Sequence, residues 1–179
     1  MENAGRAYVS GLRGRLKWER ILWWSFLHAG VVFAPFTFTW SGLLVCGLLY
    51  LLAGFGITLG YHRLLTHRSF RTPKPVEYFL TVLGSLANQG GPLQWTATHR
   101  VHHRYSDKEG DPHTPNDGVW WAHMFWWMPF DSVLDDRSRY ERYVADLAKD
   151  RCTASSSDST SPSRWFSPSC YSPSARFGV

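Results

Sequence analysis

Two apolar runs dominate the first third of the chain and limit what it can fold into. From residue 21 to 40 nearly every position is apolar or aromatic, interrupted by His28 and Pro35. From 43 to 59 the run LLVCGLLYLLAGFGITL carries no charge at all. Each stretch holds roughly 17–20 residues, about what a hydrocarbon core of ~30 Å demands of a helix. Two such runs a few residues apart read as a transmembrane helical hairpin over 21–60, with spans at about 21–40 and 43–60. They suit the buried helices of a soluble fold poorly.

Charge placement then orients the hairpin. Arg6, Arg13, Arg15, Lys17 and Arg20 precede the first run against Glu2 and Glu19, and Arg63, Arg68, Arg71 and Lys74 follow the second. The link at 40–42 has no charge. By the positive-inside rule both ends of the hairpin, and both termini with them, are expected on the cytoplasmic side. The net charge of +5 is therefore a topology signal and points to no nucleic-acid partner. Ten Trp contribute to a 16% aromatic share, and Trp18, Trp23, Trp24 and Trp40 stand where an aromatic belt would. No cleavable signal pattern occurs. Cys46, Cys152 and Cys170 form no CxxC pair, and Cys46 reads as a packing residue.

Beyond the hairpin the chain is expected to stay helical. Residues 76–93 are apolar but broken by Glu77, Asn88, Gln89, Gly90, Gly91 and Pro92, which suggests a helix at the interface, a third span being the alternative. Residues 119–130, VWWAHMFWWMPF, are too few to cross and suit a short aromatic helix on the membrane surface. Residues 131–150 have mixed charge and helical periodicity. After Asp150 the composition changes: residues 151–179 hold ten Ser and three Pro with no Leu or Ile, too little apolar surface to offset chain entropy. The expected architecture is all-α and integral to the membrane. It divides into a basic cytoplasmic arm (1–20), the hairpin (21–60), a cytoplasmic-face segment (61–150) and a disordered or frame-shifted tail (151–179).

The chemistry lies in the histidines, five of which fall into two groups 37 residues apart. His62-Arg-Leu-Leu-Thr-His67 has an H-x4-H spacing at the end of the second run. His99-Arg-Val-His102-His103 puts imidazoles at i, i+3 and i+4, one face of a helix. His62 and His67 are about 140° apart on an ideal helix, since five residues turn ~500°, so they converge only if the helix distorts or ends between them. Imidazole suits iron, copper, nickel or zinc. The absence of cysteine from both groups disfavours a structural zinc site, and five ligands exceed one tetrahedral ion.

These groups, with the string His99-Arg-Val-His102-His103-Arg-Tyr-Ser-Asp107-Lys-Glu-Gly-Asp111-Pro-His113, resemble the first two histidine boxes of the membrane fatty-acid desaturases. The likeness is to the Δ9, stearoyl-type branch in its bacterial or cyanobacterial form, and runs from about residue 20 to 150. It implies two non-haem irons that activate O2 to dehydrogenate a saturated acyl chain to a cis-monounsaturated one. It also implies His62, His67, His99, His102 and His103 as iron ligands, Asp107 and Asp111 as orienting carboxylates, and Trp95 as an acyl-chain contact. The substrate would be an acyl lipid, acyl-CoA or acyl carrier protein, with electrons from ferredoxin or a cytochrome b5-type donor. His113 and His123 are read as packing or hydrogen-bonding residues, and His28, far from both boxes, as no ligand.

The family's third box, HxxHH, has no counterpart here, because no His follows His123. The expectation is a C-terminally truncated chain, the likeness stopping near Asp150 and the polypeptide inactive alone. The other readings are a membrane di-iron hydroxylase or ketolase, or a non-catalytic metal-binding membrane protein.

Overall fold

The computed structural model describes residues 17–127, 137–150 and 152–154, and all statements below concern these. The basic arm before Lys17, the Met128-Pro129 segment and residues 155–179 lie outside them. Every described element is helical, with no strand. The chain divides into two compact units, Met1–Cys46 with Val101–Asp136, and Gly47–Arg100 with Arg137–Val179.

In the first unit α1 spans Trp18–Phe33 and gives way to a 3-10 turn, Ala34–Thr37, that contains Pro35. Proline has no N–H to donate and its ring crowds the preceding turn, so α1 ends there. At 16 residues α1 is about 24 Å long, less than a ~30 Å core. It therefore covers only part of the expected span 21–40. The Arg20 guanidinium donates to the Trp127 carbonyl at 2.6 Å, and Trp24 meets the Trp127 ring edge-on at 5.4 Å. His28 hydrogen-bonds the Trp24 carbonyl one turn back at 2.8 Å.

The next helix, α2, spans Trp40–Phe55. Thr39 caps it, its hydroxyl accepting from the Gly42 amide at 3.0 Å. The helix does not stop where the apolar run does. It continues as a π-helical segment, Gly56–Thr66, so that Trp40–Thr66 is one rod of 27 residues whose most apolar 18-residue window has mean hydropathy 2.2. It is long and apolar enough to cross a membrane, and among the described helices no other meets that measure. Trp40 and Tyr50 are each 78% exposed, and no residue of α1 or α2 is buried. Apolar surface on this scale calls for a non-aqueous neighbour.

In the second unit the π-helical segment packs on α3, Lys74–Ser85. Small residues set the distance. A Cβ added at Gly56 would lie 2.0 Å from the Gly84 amide nitrogen, and one at Gly60 would lie 2.7 Å from the Leu80 carbonyl oxygen. The two backbones touch directly, as small-xxx-small faces allow between helices in lipid. Gly84 in turn makes room for the Tyr61 ring. Tyr61, Leu65, Leu93, Ala97 and Val144 are buried in this unit. Here α4, Pro92–Tyr105, begins with a proline at its first position, where a missing N–H costs nothing.

The stretch from α5, Arg137–Tyr140, to Asp150 is tied back by charge. Asp150 accepts from Lys74 Nζ at 2.8 Å and the Tyr78 hydroxyl at 3.0 Å, and it caps the Cys152 and Thr153 amides. Asp146 accepts from Arg68 and Arg100. Burial pushes the Asp146 carboxyl up, but hydrogen bonds from Arg100 and Arg68 outweigh it and bring the pKa from 3.8 to about 2. A depressed carboxylate stabilises the fold above its unfolded pKa and loses that contribution as pH falls through the folded value. Asp146→Asn is therefore expected to lower stability at neutral pH by about 1 kcal/mol or less, since water screens a carboxylate 41% exposed. The difference from the parent chain should close between about pH 4 and pH 2, read as denaturant midpoints across that range. A constant difference would show that the carboxylate's charge is not what matters.

Candidate metal centre

The π-helical segment solves the geometry that an α-helix does not. Its hydrogen bonds join residues five apart: the His67 amide donates to the His62 carbonyl at 3.0 Å, and the Thr66 hydroxyl to the Tyr61 carbonyl at 2.8 Å. Residues i and i+5 then lie close to one full turn apart and share a face. His62 and His67, which an α-helix would splay, come within 4.5 Å ring to ring. From α4, His99 joins them at 4.7 Å from His62 and 5.7 Å from His67. One nitrogen from each of the three lies within 4.8 Å of the others. His62 and His99 are half-buried and His67 is exposed, so the group sits at a surface with one open side.

Trp95, one turn before His99 on α4, lies flat against that imidazole at 4.9 Å and 26°. Its ring also approaches Tyr61 at 5.7 Å and His62 at 6.5 Å, and its indole N–H donates to Gln89 Oε1 at 3.0 Å. An aromatic wall thus stands against His99 and His62. Such a wall limits water and fixes the ring planes.

In the other unit His102 and His103, from the last turn of α4, lie 5.6 Å apart. Asp111 is 2% exposed, and both its oxygens are 3.0 Å from His102 Nδ1. It also accepts the Asp107 amide at 2.9 Å and the His113 amide at 3.1 Å. Burial raises the Asp111 carboxyl, but the hydrogen bonds from His102 and these amides outweigh it and lower its pKa below the ordinary value. An ionised carboxylate only accepts, so His102 Nδ1 carries a proton; in the neutral imidazole the lone pair then lies on Nε2. His113 stacks on His102 at 4.4 Å, and burial keeps its imidazole below its usual pKa. His102, Asp111 and His113 form a second group able to face a cation.

Asp107 itself is exposed, with φ 57°, its amide on Asp111 and its carbonyl accepting from Asn116 Nδ2 at 2.8 Å. The Ser106–Asp111 loop therefore folds around the Asp111 carboxylate. His123 lies exposed in a short π turn, Trp121–Phe125, and His28 remains on α1.

Asp111→Asn is expected to leave the fold intact and weaken metal binding about 10- to 100-fold, the usual effect of losing an imidazole's outer partner. Chelator competition on the purified protein reads this directly. Unchanged affinity would show that His102 needs no carboxylate to present its nitrogen.

Two parts of this arrangement escape the spacing argument. The Gly56-xxx-Gly60 face was present in the sequence as small residues four apart in an apolar run, a known helix-contact signal. The contacts of Arg100 carry no comparable signal.

A family model described as fatty acid desaturase matches residues 38–166, past the compositional change at Asp150. The chain is 46% identical to an sn-1 stearoyl-lipid 9-desaturase of Anabaena variabilis over 141 residues, 77% of this chain and 52% of that protein. It is 50% identical to Delta-9 acyl-lipid desaturase 1 of Arabidopsis thaliana over 101 residues, 56% of this chain and 33% of that protein. To an acyl-CoA C20 Delta5-desaturase of Anemone leveillei it is 47% identical over 124 residues, 69% and 39% of the two lengths. The chain spans about half the length, or less, of these relatives.

Proposed function

The chain belongs to the fatty acid desaturase family, and on that premise we propose that it serves an O2-dependent acyl desaturase that converts a saturated acyl chain to a cis-monounsaturated one. The observation that carries this reading is the convergence of His62, His67 and His99 on one face, with no thiolate among them. Three neutral imidazoles suit non-haem iron. We assign these three to iron, with His103, one turn beyond His99 on the same face of α4. His102, its Nδ1 held by Asp111, is assigned to a second iron.

When bound, iron supplies the O2 activation that breaking an unactivated C–H bond requires. The protein's own part is positional. The π-helical segment holds His62 and His67 in line, Asp111 fixes the tautomer of His102, and Trp95 presents an apolar face beside His99 for an acyl chain. The names of the relatives favour an acyl lipid with its double bond at C9, acyl-CoA being the next candidate. Arg63, Arg68 and Arg71 near the first histidine group would favour an acidic electron donor of the ferredoxin or cytochrome b5 type. Charge placement favours a cytoplasmic position for the histidine groups and for both ends of a transmembrane hairpin over 21–60.

The test combines iron analysis of the purified protein with fatty-acid profiles of cells producing it. Bound iron with new cis-monounsaturated chains supports the reading. Hydroxylated chains would replace it with a hydroxylase, and iron without any new product with a non-catalytic metal-binding protein.

A further inference from the structure

Each histidine in the first group is followed by an arginine, and two of these, Arg68 after His67 and Arg100 after His99, share one carboxylate. Asp146 Oδ2 accepts from Arg68 Nε at 3.1 Å and Nη2 at 2.6 Å. The same residue faces Arg100 with both oxygens, Nη1 to Oδ1 at 2.7 Å and Nη2 to Oδ2 at 3.1 Å. Arg100 also reaches past the carboxylate. Its Nη2 donates to the Leu65 carbonyl at 2.9 Å, and its Nη1 to the Tyr143 carbonyl at 2.8 Å.

The π-helical segment ends at Thr66, and its last carbonyls have no partner further along the helix. His67 follows as the cap residue, and Arg68 then turns the chain with φ 49°, a conformation that side chains with a Cβ disfavour. Beyond both, the Ser69 amide closes back on the Arg63 carbonyl at 2.9 Å, and the Leu65 carbonyl meets Arg100 from outside the segment. What bridges this end of the segment to α4 is a guanidinium whose planar fork satisfies a carbonyl and a carboxylate together.

We propose that Arg100, braced by Asp146, is a positioning residue for the imidazole group: it pins the carbonyl end of the π-helical segment to α4 and so sets the separation of His67 from His99. This rests on the reading that these imidazoles hold iron. Arg100 itself touches no imidazole through the contacts described and acts through the backbone at Leu65.

The test uses the purified full chain in detergent micelles, with Co2+ as a visible-absorbing stand-in for Fe2+ and chelator competition for affinity. Arg100→Lys keeps the charge and loses the fork, and Asp146→Asn loosens the brace while leaving Arg100 in place. Both are expected to keep the parent's helical content. Co2+ affinity should fall at least about 10-fold in Arg100→Lys and less in Asp146→Asn, with an altered visible band in each. A band and an affinity within about twofold of the parent in folded Arg100→Lys would overturn the proposal. Should that variant not fold, Asp146→Asn decides on the same criteria: a clear loss supports the clamp, and parent-like affinity in its folded fraction overturns it. A parent chain that binds neither Co2+ nor Fe2+ would remove the metal reading and the clamp with it, whereas a binding parent with unaffected variants removes the clamp alone.

Discussion

Replacing Gly56 by alanine is expected to destabilise the second unit by about 3 kcal/mol, while Gly54→Ala, two residues earlier in the same run, leaves it unharmed. The two substitutions are chemically identical, and in an ordinary helix each would gain up to about 1 kcal/mol from better helix propensity. They differ in what the new methyl meets. At Gly54 nothing lies within 4 Å. At Gly56 it would stand 2.0 Å from the Gly84 nitrogen and 2.2 Å from the Leu83 carbonyl carbon, both backbone atoms with no rotamer to change. The only relief is to move α3 away from the π-helical segment, which uncovers Tyr61 and Leu83 in the unit's core. Because His62 and His67 ride on that segment, metal affinity should fall with stability. Thermal unfolding of the two variants in micelles, with Co2+ titration beside it, checks both expectations. A Gly56→Ala protein as stable as Gly54→Ala would mean that the two backbones do not touch.

The second large effect is the reverse in kind: loss of metal with the fold kept. His99 is half-buried and contacts His62, His67 and Trp95 through its ring, so it is the hub of the first group. His99→Ala removes the one nitrogen of the three converging ones that α4 supplies, and with it the ring that both His62 and His67 meet. Affinity for Fe2+ or Co2+ should fall by on the order of 100-fold or more, beyond what losing an outer partner costs. Few buried apolar contacts are lost, so the melting temperature of the metal-free protein should shift little. A His28→Ala variant provides the contrast, since the described contacts of His28 are with the carbonyl and the ring of Trp24, one turn back on α1. Equal metal loss in both would refute the assignment of His99.

Much of this was readable from residue order because the signals are local. An uncharged run such as 43–59 must be helical wherever water is absent, since only then are its amides and carbonyls paired. The i, i+3, i+4 spacing of His99, His102 and His103 likewise needs no tertiary information to put three imidazoles on one helix. Asp111 was a candidate for orienting a histidine from its place after the second group, and the contact with His102 supplies the geometry such a role needs. Asp107 carried the same expectation by position, yet its backbone rather than its carboxylate meets the Asp111 oxygens.

The sequence by itself determined the helical class and a membrane-length apolar rod, because each depends on composition along one element. It marked five imidazoles by their spacing, whereas His113, read as a packing residue, also stacks on His102. It could not decide how His62 and His67 meet, or what holds them against His99. The first depends on the switch from α to π hydrogen bonding at Gly56, which the direct approach of α3 to Gly56 and Gly60 accompanies. The second depends on Arg100 and Asp146, 46 residues apart in the chain and joined at 2.7 Å. Contacts between distant residues leave no period or motif behind. Only the packed chain brings them together.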